Sequence, residues 1–551
     1  MVLALVRPAG AYLDRVFRGE RTWLDPVLRP LERGIYRVTR IDASEDMTWT
    51  EYAASFVLFG LVGTLLLYGL LRVQQWLPWF DAAHLTTPMT PDLAANTAIS
   101  FATTSTWQAY GGETTMSYAA QLLGLVGQNF LAGAAGLAVG IAFIRGLASD
   151  GTGCLGSFWV DVVRAILWVL LPLSLIGALV LVWQGVPMNF DSYTKVATIE
   201  GVSQTLAQGP VAALEWIKNV GTNGGGFFNA NGAHPYENPT PLTNVLELLA
   251  IVVLPAGLTY TFGRMTGRRR DGWTLLAAMA VMFVVGFACI ENAEHRGNPR
   301  WSSGVVGGNM EGKEVRFGVD GSALAAAVTS NGATGSTNAM HDSFMPLGGM
   351  VPLVNMLLGE IVFGGLGTGL FSIVMVALLG TFIVGLMVGR TPQYLGKHLG
   401  AGEVRMIVLY AMIGPASILL LTALAVVTPA GLAGLTTNAG PHGLTEILYA
   451  YTSAFSNNGQ AFAGLGANSP FYNGTTAVAM MLGRYGLAVP ALALAGRFSR
   501  VRPRPDEGAM PTSGVLFGCV VIGTAVLLTA LTFLPVLALG PVLEQVSLMR
   551  G

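Results

Sequence analysis

The sequence predicts an all-α polytopic membrane protein on the strength of three observations. The chain of 551 residues is 52% hydrophobic and only 11% charged, whereas soluble domains carry about 25% charged residues. Nine apolar segments reach the length of about 20 residues with which a helix crosses a bilayer. In addition, four short runs rich in Gly, Thr, Ser and Asn each follow an apolar stretch that is too short to span.

The chain begins with a short apolar segment, Met1–Val6, which Arg7-Pro8 interrupts. Six residues cannot cross a bilayer, so we interpret this segment as a truncated first helix. It lacks the basic start and the cleavage site of a signal peptide. The predicted spans follow in this order: Ala53–Leu71, Ala119–Ile144, Ala165–Trp183, Val245–Phe262, Trp273–Ile290, Ile361–Met387, Met406–Val427, Thr475–Leu494 and Val515–Leu539.

Four of the apolar stretches are only half as long as a span, and each runs into one of the polar segments. These stretches are Leu93–Phe101, Val211–Val220, Ala323–Thr329 and Leu444–Phe455. Their length suits re-entrant helices, and non-helical backbone at membrane depth is tolerated only where protein buries it or water lines it. The sequence therefore predicts four pseudo-symmetric repeats of helix, pore loop and helix.

The repeats fix the domain organisation that we expect. Residues 1–50 form the truncated first helix and a cytoplasmic connection, and residues 510–551 form an extra C-terminal transmembrane helix. The four repeats occupy residues 51–147, 158–268, 270–392 and 403–500.

Basic residues predict the orientation, because Lys and Arg collect in cytoplasmic loops. They cluster in every second connection, at Arg18–Arg40, Arg264–Arg270, Arg390–Arg405 and Arg497–Arg504. These connections are therefore expected in the cytoplasm. The polar loops and both termini are expected on the opposite side.

The composition also excludes several classes of function. A net charge of −1 argues against a nucleic-acid partner, since such proteins usually present a basic face. The cysteines Cys154, Cys289 and Cys519 lie far apart, and the six histidines form no metal-binding motif. No convergent set of acids, bases or metal ligands favours a membrane-embedded enzyme.

The polar loops have the residues that a cation pathway needs. Backbone carbonyls replace the water around a cation without introducing charge, and Gly permits the dihedral angles that such a loop requires. The half-length helices end at the loops, which directs their negative C-terminal ends toward the ion. One such run alone is more often an ordinary exposed loop, but four runs at matched spacing favour a carbonyl-lined pore.

The loop segments resemble a known family. Residues Asn219–Pro239, which read NVGTNGGGFFNANGAHPYENP, look like the second filter segment of the potassium-binding, pore-forming A subunit of Kdp-type potassium-transporting ATPases. The resemblance extends over nearly the whole chain. Further matching segments are Glu20–Arg40, Asn309–Gly318, Met340–Phe344, Gly359–Gly369, Arg390–Lys397 and Asn457–Leu465.

The resemblance implies a potassium filter made of one triplet from each loop. The triplets are Thr104, Ser105 and Thr106; Thr222, Asn223 and Gly224; Ala333, Thr334 and Gly335; and Asn457, Asn458 and Gly459. Gln108 matches a family position associated with potassium affinity. The first triplet departs from the family, which often has Asn on both sides of its central Thr.

Two charges near mid-membrane are further candidates. Arg484 is expected to face the cavity below the filter, where it would repel potassium from a resting site; the alternative is a buried pair with Asp342 or Glu247. Glu360 opens the segment Gly359–Gly369, whose glycines would break the helix as a gate or as a turn toward a side tunnel. These glycines are Gly364, Gly365, Gly367 and Gly369. The alternative for them is close helix packing through small residues.

The family implies a potassium-binding, channel-like subunit of an ATP-driven importer in the lipid of a bacterial cytoplasmic membrane. Its partners would be a P-type ATPase catalytic subunit, a C subunit and a small single-span subunit. The sequence has no Asp-Lys-Thr-Gly phosphorylation motif, so we expect this chain to bind no nucleotide and to hydrolyse no ATP by itself. The family is similar to a wider superfamily of potassium transporters with four helix–pore-loop–helix repeats. The alternative is an autonomous potassium channel or cation-coupled symporter of that superfamily.

Overall fold

The structure, a computed structural model, describes residues 1–81, 83–298, 308–504 and 510–550. Within these ranges nine helices are long and apolar enough to cross a membrane, which confirms the all-α polytopic prediction. They are Trp49–Trp76, Ala120–Ala148, Phe158–Trp183, Pro241–Met265, Arg269–Arg296, Thr368–Val388, Ala401–Val427, Pro470–Phe498 and Val515–Arg550. The parts of the predicted repeats at residue 82 and at 299–307, and residue 551 of the predicted C-terminal segment, lie outside the described residues.

The first helix is longer than the sequence predicts. It runs over Val2–Arg18, 17 residues with Pro8 inside it, and so continues beyond the apolar segment Met1–Val6. A proline inside a helix removes one backbone hydrogen bond but does not necessarily end the helix. Here close packing supports the helix: a Cβ atom on Gly10 would lie 2.4 Å from the carbonyl oxygen of Gly257, and the Thr261 hydroxyl donates to the Gly10 carbonyl at 3.0 Å.

Four short helices lie where the half-length stretches were predicted. They are pore helix 1, Pro91–Ala102, pore helix 2, Val211–Val220, pore helix 3, Gly318–Asn331, and pore helix 4, Gly440–Ser456. Each contains its predicted apolar stretch and ends at the following polar loop. All four are largely buried among the longer helices, since a half-length helix cannot satisfy its end groups in lipid.

The third repeat contains a broken helix. Pro346–Leu357 forms a short helix, and the long helix begins only at Thr368, so the predicted span Ile361–Met387 starts too early. The intervening residues include Glu360, Phe363 and Gly367 at φ of 50°, 53° and 93°. These left-handed conformations cannot continue a right-handed helix, which explains the break.

The remaining elements are short. The helices are Asp25–Thr39, Gly112–Thr115, Pro429–Leu432 and Leu543–Arg550, the last continuing the final span. Two antiparallel hairpins pair Thr194–Ala197 with Ser203–Leu206 and Gln393–Tyr394 with Lys397–His398. The core lies around the helices Ala120–Ala148 and Pro241–Met265, whose apolar windows are 83% and 72% buried, against 22% for Ala401–Val427.

A buried lysine joins three segments at the end of the protein where the basic clusters lie. Lys397 is 1% exposed. Its Nζ donates to the carbonyl oxygens of Ser149 at 2.6 Å, Phe498 at 2.8 Å and Gly146 at 3.4 Å. These carbonyls come from the ends of the helices Ala120–Ala148 and Pro470–Phe498, so one ammonium group satisfies helix ends that would otherwise lack partners.

We expect Lys397→Met to lower the free energy of unfolding by about 2 kcal/mol, because the three buried carbonyls lose their charged donor. The measurement is the thermal unfolding midpoint of the detergent-purified protein. Lys195→Met, on the exposed hairpin, is the matched control and should leave the midpoint unchanged. Equal midpoints for the two variants would contradict this role of Lys397.

Candidate ion-binding site

The four polar loops share one backbone pattern. In each triplet the first and third residues have positive φ and the middle residue does not. The residues with positive φ are Thr104, Thr106, Thr222, Gly224, Ala333, Gly335, Asn457 and Gly459. Non-glycine residues held in the left-handed region cost of order 1–3 kcal/mol each and concentrate at functional sites. Five of these eight positions are not glycine, so the pattern is maintained against a conformational cost.

The pore helices take up the N–H groups of the loops. The backbone N–H groups of Thr106 and Asn223 donate to the carbonyl oxygens of Ser100 and Lys218 at 3.1 and 2.9 Å. The corresponding bonds in the other loops run from Thr334 to Thr329 at 3.4 Å and from Asn458 to Ser453 at 3.0 Å. At least one N–H group of each loop is thus satisfied from behind by its pore helix, which leaves loop carbonyls available as oxygen ligands for a cation.

Side-chain hydrogen bonds connect the first loop to both of its neighbours. The Thr106 hydroxyl donates to the backbone carbonyl of Asn223 in the second loop. On the other side, the Asn457 amide of the fourth loop donates to the Ser105 hydroxyl at 2.8 Å and to the Met480 carbonyl at 2.9 Å. The first loop therefore lies between the second and the fourth.

Glycines allow the other loops to meet backbone to backbone. A Cβ atom on Gly224 would lie 1.6 Å from the carbonyl oxygen of Thr334, and one on Gly335 would lie 2.3 Å from that of Asn458. Such distances exclude any side chain at these two positions. Together with the hydrogen bonds of the first loop, these contacts close the four loops into a ring in chain order.

The ring separates two spaces. A small cavity of about 20 Å³ touches the first residue of every triplet: Thr104, Thr222, Ala333 and Asn457. On the other side lies an open vestibule of about 920 Å³. All four loop segments contribute to its lining, among others with Thr106, Gly225, Gly335 and Gly459. The structure thus brings all four predicted triplets together at one constriction.

Arg484 lines the small cavity. Its Nη1 donates to the Thr104 hydroxyl at 3.0 Å and its Nη2 to the Ala132 carbonyl at 2.8 Å. The predicted alternative, an ion pair with Asp342 or Glu247, is not formed, and no other described carboxylate pairs with Arg484: Asp342 pairs with His442. The guanidinium is therefore held at the inner end of the first loop by neutral oxygens.

The broken segment of the third repeat lies directly beneath the loops. The Glu360 carboxylate accepts from the Asn458 amide at 2.7 Å, and the Leu366 N–H donates to the Thr222 hydroxyl at 2.8 Å. The Gly365 N–H donates to the Gly332 carbonyl, just before the third triplet, at 3.2 Å. This segment therefore contacts three of the four loop segments.

Of the four candidate glycines in this segment, two have positive φ, Gly365 at 30° and Gly367 at 93°. Gly364 and Gly369 meet through a backbone hydrogen bond from the Gly369 N–H to the Gly364 carbonyl at 2.6 Å. The packing alternative is also present, because a Cβ atom on Gly140 would lie 2.5 Å from the Gly367 Cα. The glycines serve both the break and the close approach of a neighbouring helix.

Gln108 supports the second loop from the vestibule side. Its Oε1 accepts from the Gly226 N–H at 2.8 Å and its Nε2 donates to the Gly226 carbonyl at 3.1 Å. The side chain thus pairs with the backbone like a neighbouring strand. It positions the segment just beyond the second triplet.

A buried cluster behind the second loop was not found by sequence analysis. Lys218 of pore helix 2 is fully buried, and its Nζ lies 2.5 Å from Glu215, 2.6 Å from Glu237 and 2.9 Å from the Asn231 amide oxygen. Asn231 in turn donates to the Gly225 carbonyl at 2.8 Å. The sequence signal that could have indicated this cluster is the presence of charged residues in so short an apolar helix.

The charge of Lys218 acts on the carboxylate that follows the loop. Burial by itself would raise the pKa of Glu237, but Lys218 and the Phe228 N–H, which donates to Glu237 at 2.8 Å, hold that pKa below its ordinary value. The ionised carboxylate is therefore paired and hydrogen-bonded, the condition under which a buried charge is tolerated. The cluster fixes both ends of the second loop.

A second cavity adjoins the one beneath the ring. Its volume is about 100 Å³, and it shares Thr368 and Ser456 with the small cavity. Its lining is mainly apolar, with Glu360, Ser372 and Tyr410 among the polar residues. Space between the helices therefore adjoins the small cavity beneath the ring.

Comparisons with known proteins identify the relatives of this chain. The family model described as "Potassium-transporting ATPase A subunit" matches residues 1–546. Proteins named potassium-transporting ATPase potassium-binding subunit are similar over the whole chain. Those of Methylobacterium nodulans and Rhodospirillum centenum are each 53% identical, with 96% of each relative covered. That of Granulibacter bethesdensis is 50% identical, with 97% covered.

The ring of four loops, the Gly-rich second segment and the match over nearly the full length agree with one another. The chain belongs to the family of potassium-transporting ATPase A subunits.

Proposed function

We propose that this chain binds and translocates potassium as the channel-like subunit of an ATP-driven import complex. The observation that carries the proposal is the closed ring of four loops, each of which has an N–H group satisfied from behind by its pore helix. Such a ring offers backbone carbonyls to a dehydrated cation at little cost in reorganisation. The relatives are named as the potassium-binding subunit of a potassium-transporting ATPase, which supports potassium as the ion.

In this proposal the twelve residues of the four triplets form the filter, and potassium enters from the vestibule. The basic end of the protein faces the cytoplasm, as the distribution of Lys and Arg indicates, so the vestibule opens to the outside of a bacterial cytoplasmic membrane. Gln108 tunes affinity through the backbone of the second loop rather than by touching the ion.

Energy is supplied by a partner. The chain has no phosphorylation motif, so ATP hydrolysis belongs to a P-type ATPase subunit, accompanied by a C subunit and a small single-span subunit. The adjoining cavity at Thr368 and Ser456 is the route on which potassium leaves the filter toward that partner. Glu360 and the glycines of the broken segment border this exit and act as its gate.

Arg484 prevents potassium from resting at the exit. Unit charges about 6 Å apart repel by roughly 3 kcal/mol at an effective dielectric constant of about 20. A guanidinium held beside Thr104 therefore disfavours a second ion below the ring and keeps the bound ion within the loops.

The alternative function is an autonomous channel or cation-coupled symporter of the same superfamily. The proteins that co-purify with this chain from its native membrane distinguish this alternative from the import complex. We expect a P-type ATPase subunit to co-purify and the complex to hydrolyse ATP faster when potassium is added. Potassium flux through the isolated chain, with no ATPase in the preparation, would favour the alternative.

For the filter, we expect Gly224→Ala to reduce selectivity for potassium over sodium by about tenfold, which corresponds to roughly 1.4 kcal/mol. The added methyl group would overlap the Thr334 carbonyl and open the ring. Selectivity is measured by competition in ion binding to the purified complex.

The control for this change is Gly267→Ala, since Gly267 has a φ of 72° but no heavy atom within 4 Å of an added Cβ atom. Alanine at this position also has to adopt an unfavourable positive φ, but its Cβ atom does not clash with a neighbouring atom. Wild-type selectivity in Gly224→Ala would remove Gly224 from the filter.

For the cavity, we expect Arg484→Gln to tighten equilibrium potassium binding by about tenfold and to slow transport, because the repulsion at the exit is lost. Arg484→Lys keeps the charge and should stay near wild type in binding. Calorimetric titration and flux through the reconstituted complex measure the two effects. Unchanged affinity in Arg484→Gln would show that the charge does not act on the ion.

A further inference from the structure

A cluster of one histidine and three carboxylates lies outside the filter, on the side of the vestibule. His442 and Glu446 belong to pore helix 4, Asp342 follows the third loop, and Glu544 lies on the C-terminal helix Leu543–Arg550. The cluster thus joins three segments that are distant in the sequence. Potassium transport as proposed above makes no use of it.

The side chains of the cluster bring three ligand atoms close together. His442 Nε2 lies 2.7 Å from Asp342 Oδ1 and 4.0 Å from Glu446 Oε1, and the three donor atoms all lie within 4.8 Å of one another. Two ligands of a tetrahedral zinc ion, bound at about 2.1 Å each, stand roughly 3.4 Å apart. The two distances from His442 bracket that separation, so small side-chain rotations suffice to admit an ion.

The surroundings of the histidine match those of a metal ligand. His442 Nδ1 lies 2.8 Å from Glu544 Oε1, and metal-bound histidines almost always donate their second ring N–H to a carboxylate or a carbonyl. The Asn438 amide donates to Glu446 Oε1 at 2.8 Å and to Asp342 Oδ2 at 3.3 Å. It thereby orients both carboxylates toward the same position.

An independent observation also points to a missing ligand. The Glu446 side chain is 0% exposed, yet its Oε2 atom has no hydrogen-bond partner among the described residues. A buried carboxylate oxygen without a partner is costly, and a bound cation would remove that cost. His442 and Asp342 remain 18% and 14% exposed, so an ion has access from the vestibule side.

We propose that His442, Asp342 and Glu446 bind a divalent transition-metal ion of the zinc class, with Glu544 orienting the imidazole. An imidazole with two carboxylates suits zinc, whereas calcium and magnesium prefer sites built from oxygen alone. The bound ion links the segment after the third loop to pore helix 4, and the histidine carries that link to the C-terminal helix. The site is independent of the transport role proposed above.

The test is titration of zinc into the full-length, untagged protein purified in detergent, followed by calorimetry. We expect a single high-affinity ion per chain. We also expect the thermal midpoint to rise by about 2–4 °C at a free zinc concentration about 100 times the dissociation constant. Cobalt in place of zinc should give visible absorption bands of a low-coordinate site, and calcium should leave the midpoint unchanged.

His442→Gln and Glu446→Gln should each lower zinc affinity at least tenfold and abolish the cobalt bands. If the buried Glu446→Gln variant fails to fold, Asp342→Asn takes its place because Asp342 is partly exposed. The matched control is His295→Gln, in the exposed cluster of Glu291, His295 and Asp320, which should bind zinc as the wild type does.

Three results would overturn the proposal. Absence of zinc binding to the wild type would show that the cluster is not a zinc site. Zinc binding that survives in His442→Gln, or that is lost in His295→Gln, would place the metal elsewhere.

Discussion

The rest of this structure depends on how the backbone of the four loops is hydrogen-bonded. Backbone at membrane depth must have its N–H groups satisfied by protein, but a carbonyl that pairs with another part of the protein is less able to bind an ion. The four pore helices resolve this conflict because their last carbonyls accept the loop N–H groups, as Lys218 does for Asn223. The half-length of these helices follows directly, since each must end at the ring.

The same requirement explains the buried charges around the loops. Lys218 with Glu215 and Glu237 lies behind the second loop, and Lys313 forms a fully buried pair with Glu294 beyond the third at 2.8 Å. Left-handed residues such as Thr222 return to lower-energy conformations unless their surroundings hold them. Ion pairs reinforced by hydrogen bonds, such as that of Lys218 with Glu237, where Lys218 also donates to Asn231, provide directional constraints at the segments flanking the ring, where apolar packing alone would not fix a backbone dihedral angle.

Much of this arrangement follows from local sequence. The spans, the pore helices and the loops could be predicted because hydropathy, segment length and Gly content are local properties. The length of the first helix could not, because its continuation through Pro8 depends on contact with Gly257, far along the chain. The bond between Glu360 and Asn458 and the neutral partners of Arg484 were likewise beyond reach, since they join residues from different repeats and carry no local signature. The positions of the loops were thus predictable from the sequence, whereas the side-chain contacts that hold the loops in place were not.

Closure of the ring in chain order also limits how the four repeats can diverge in evolution. Gly224 packs against the backbone of the third loop and Gly335 against that of the fourth. The conformation of each loop therefore depends on that of its neighbour. An inherited change in one loop is acceptable only with an accommodating change next to it. The outer helices of the repeats can diverge independently, whereas the loops at the centre must change together. In a chimaera that exchanges one loop alone, the new loop would not fit the backbone of the adjacent loops.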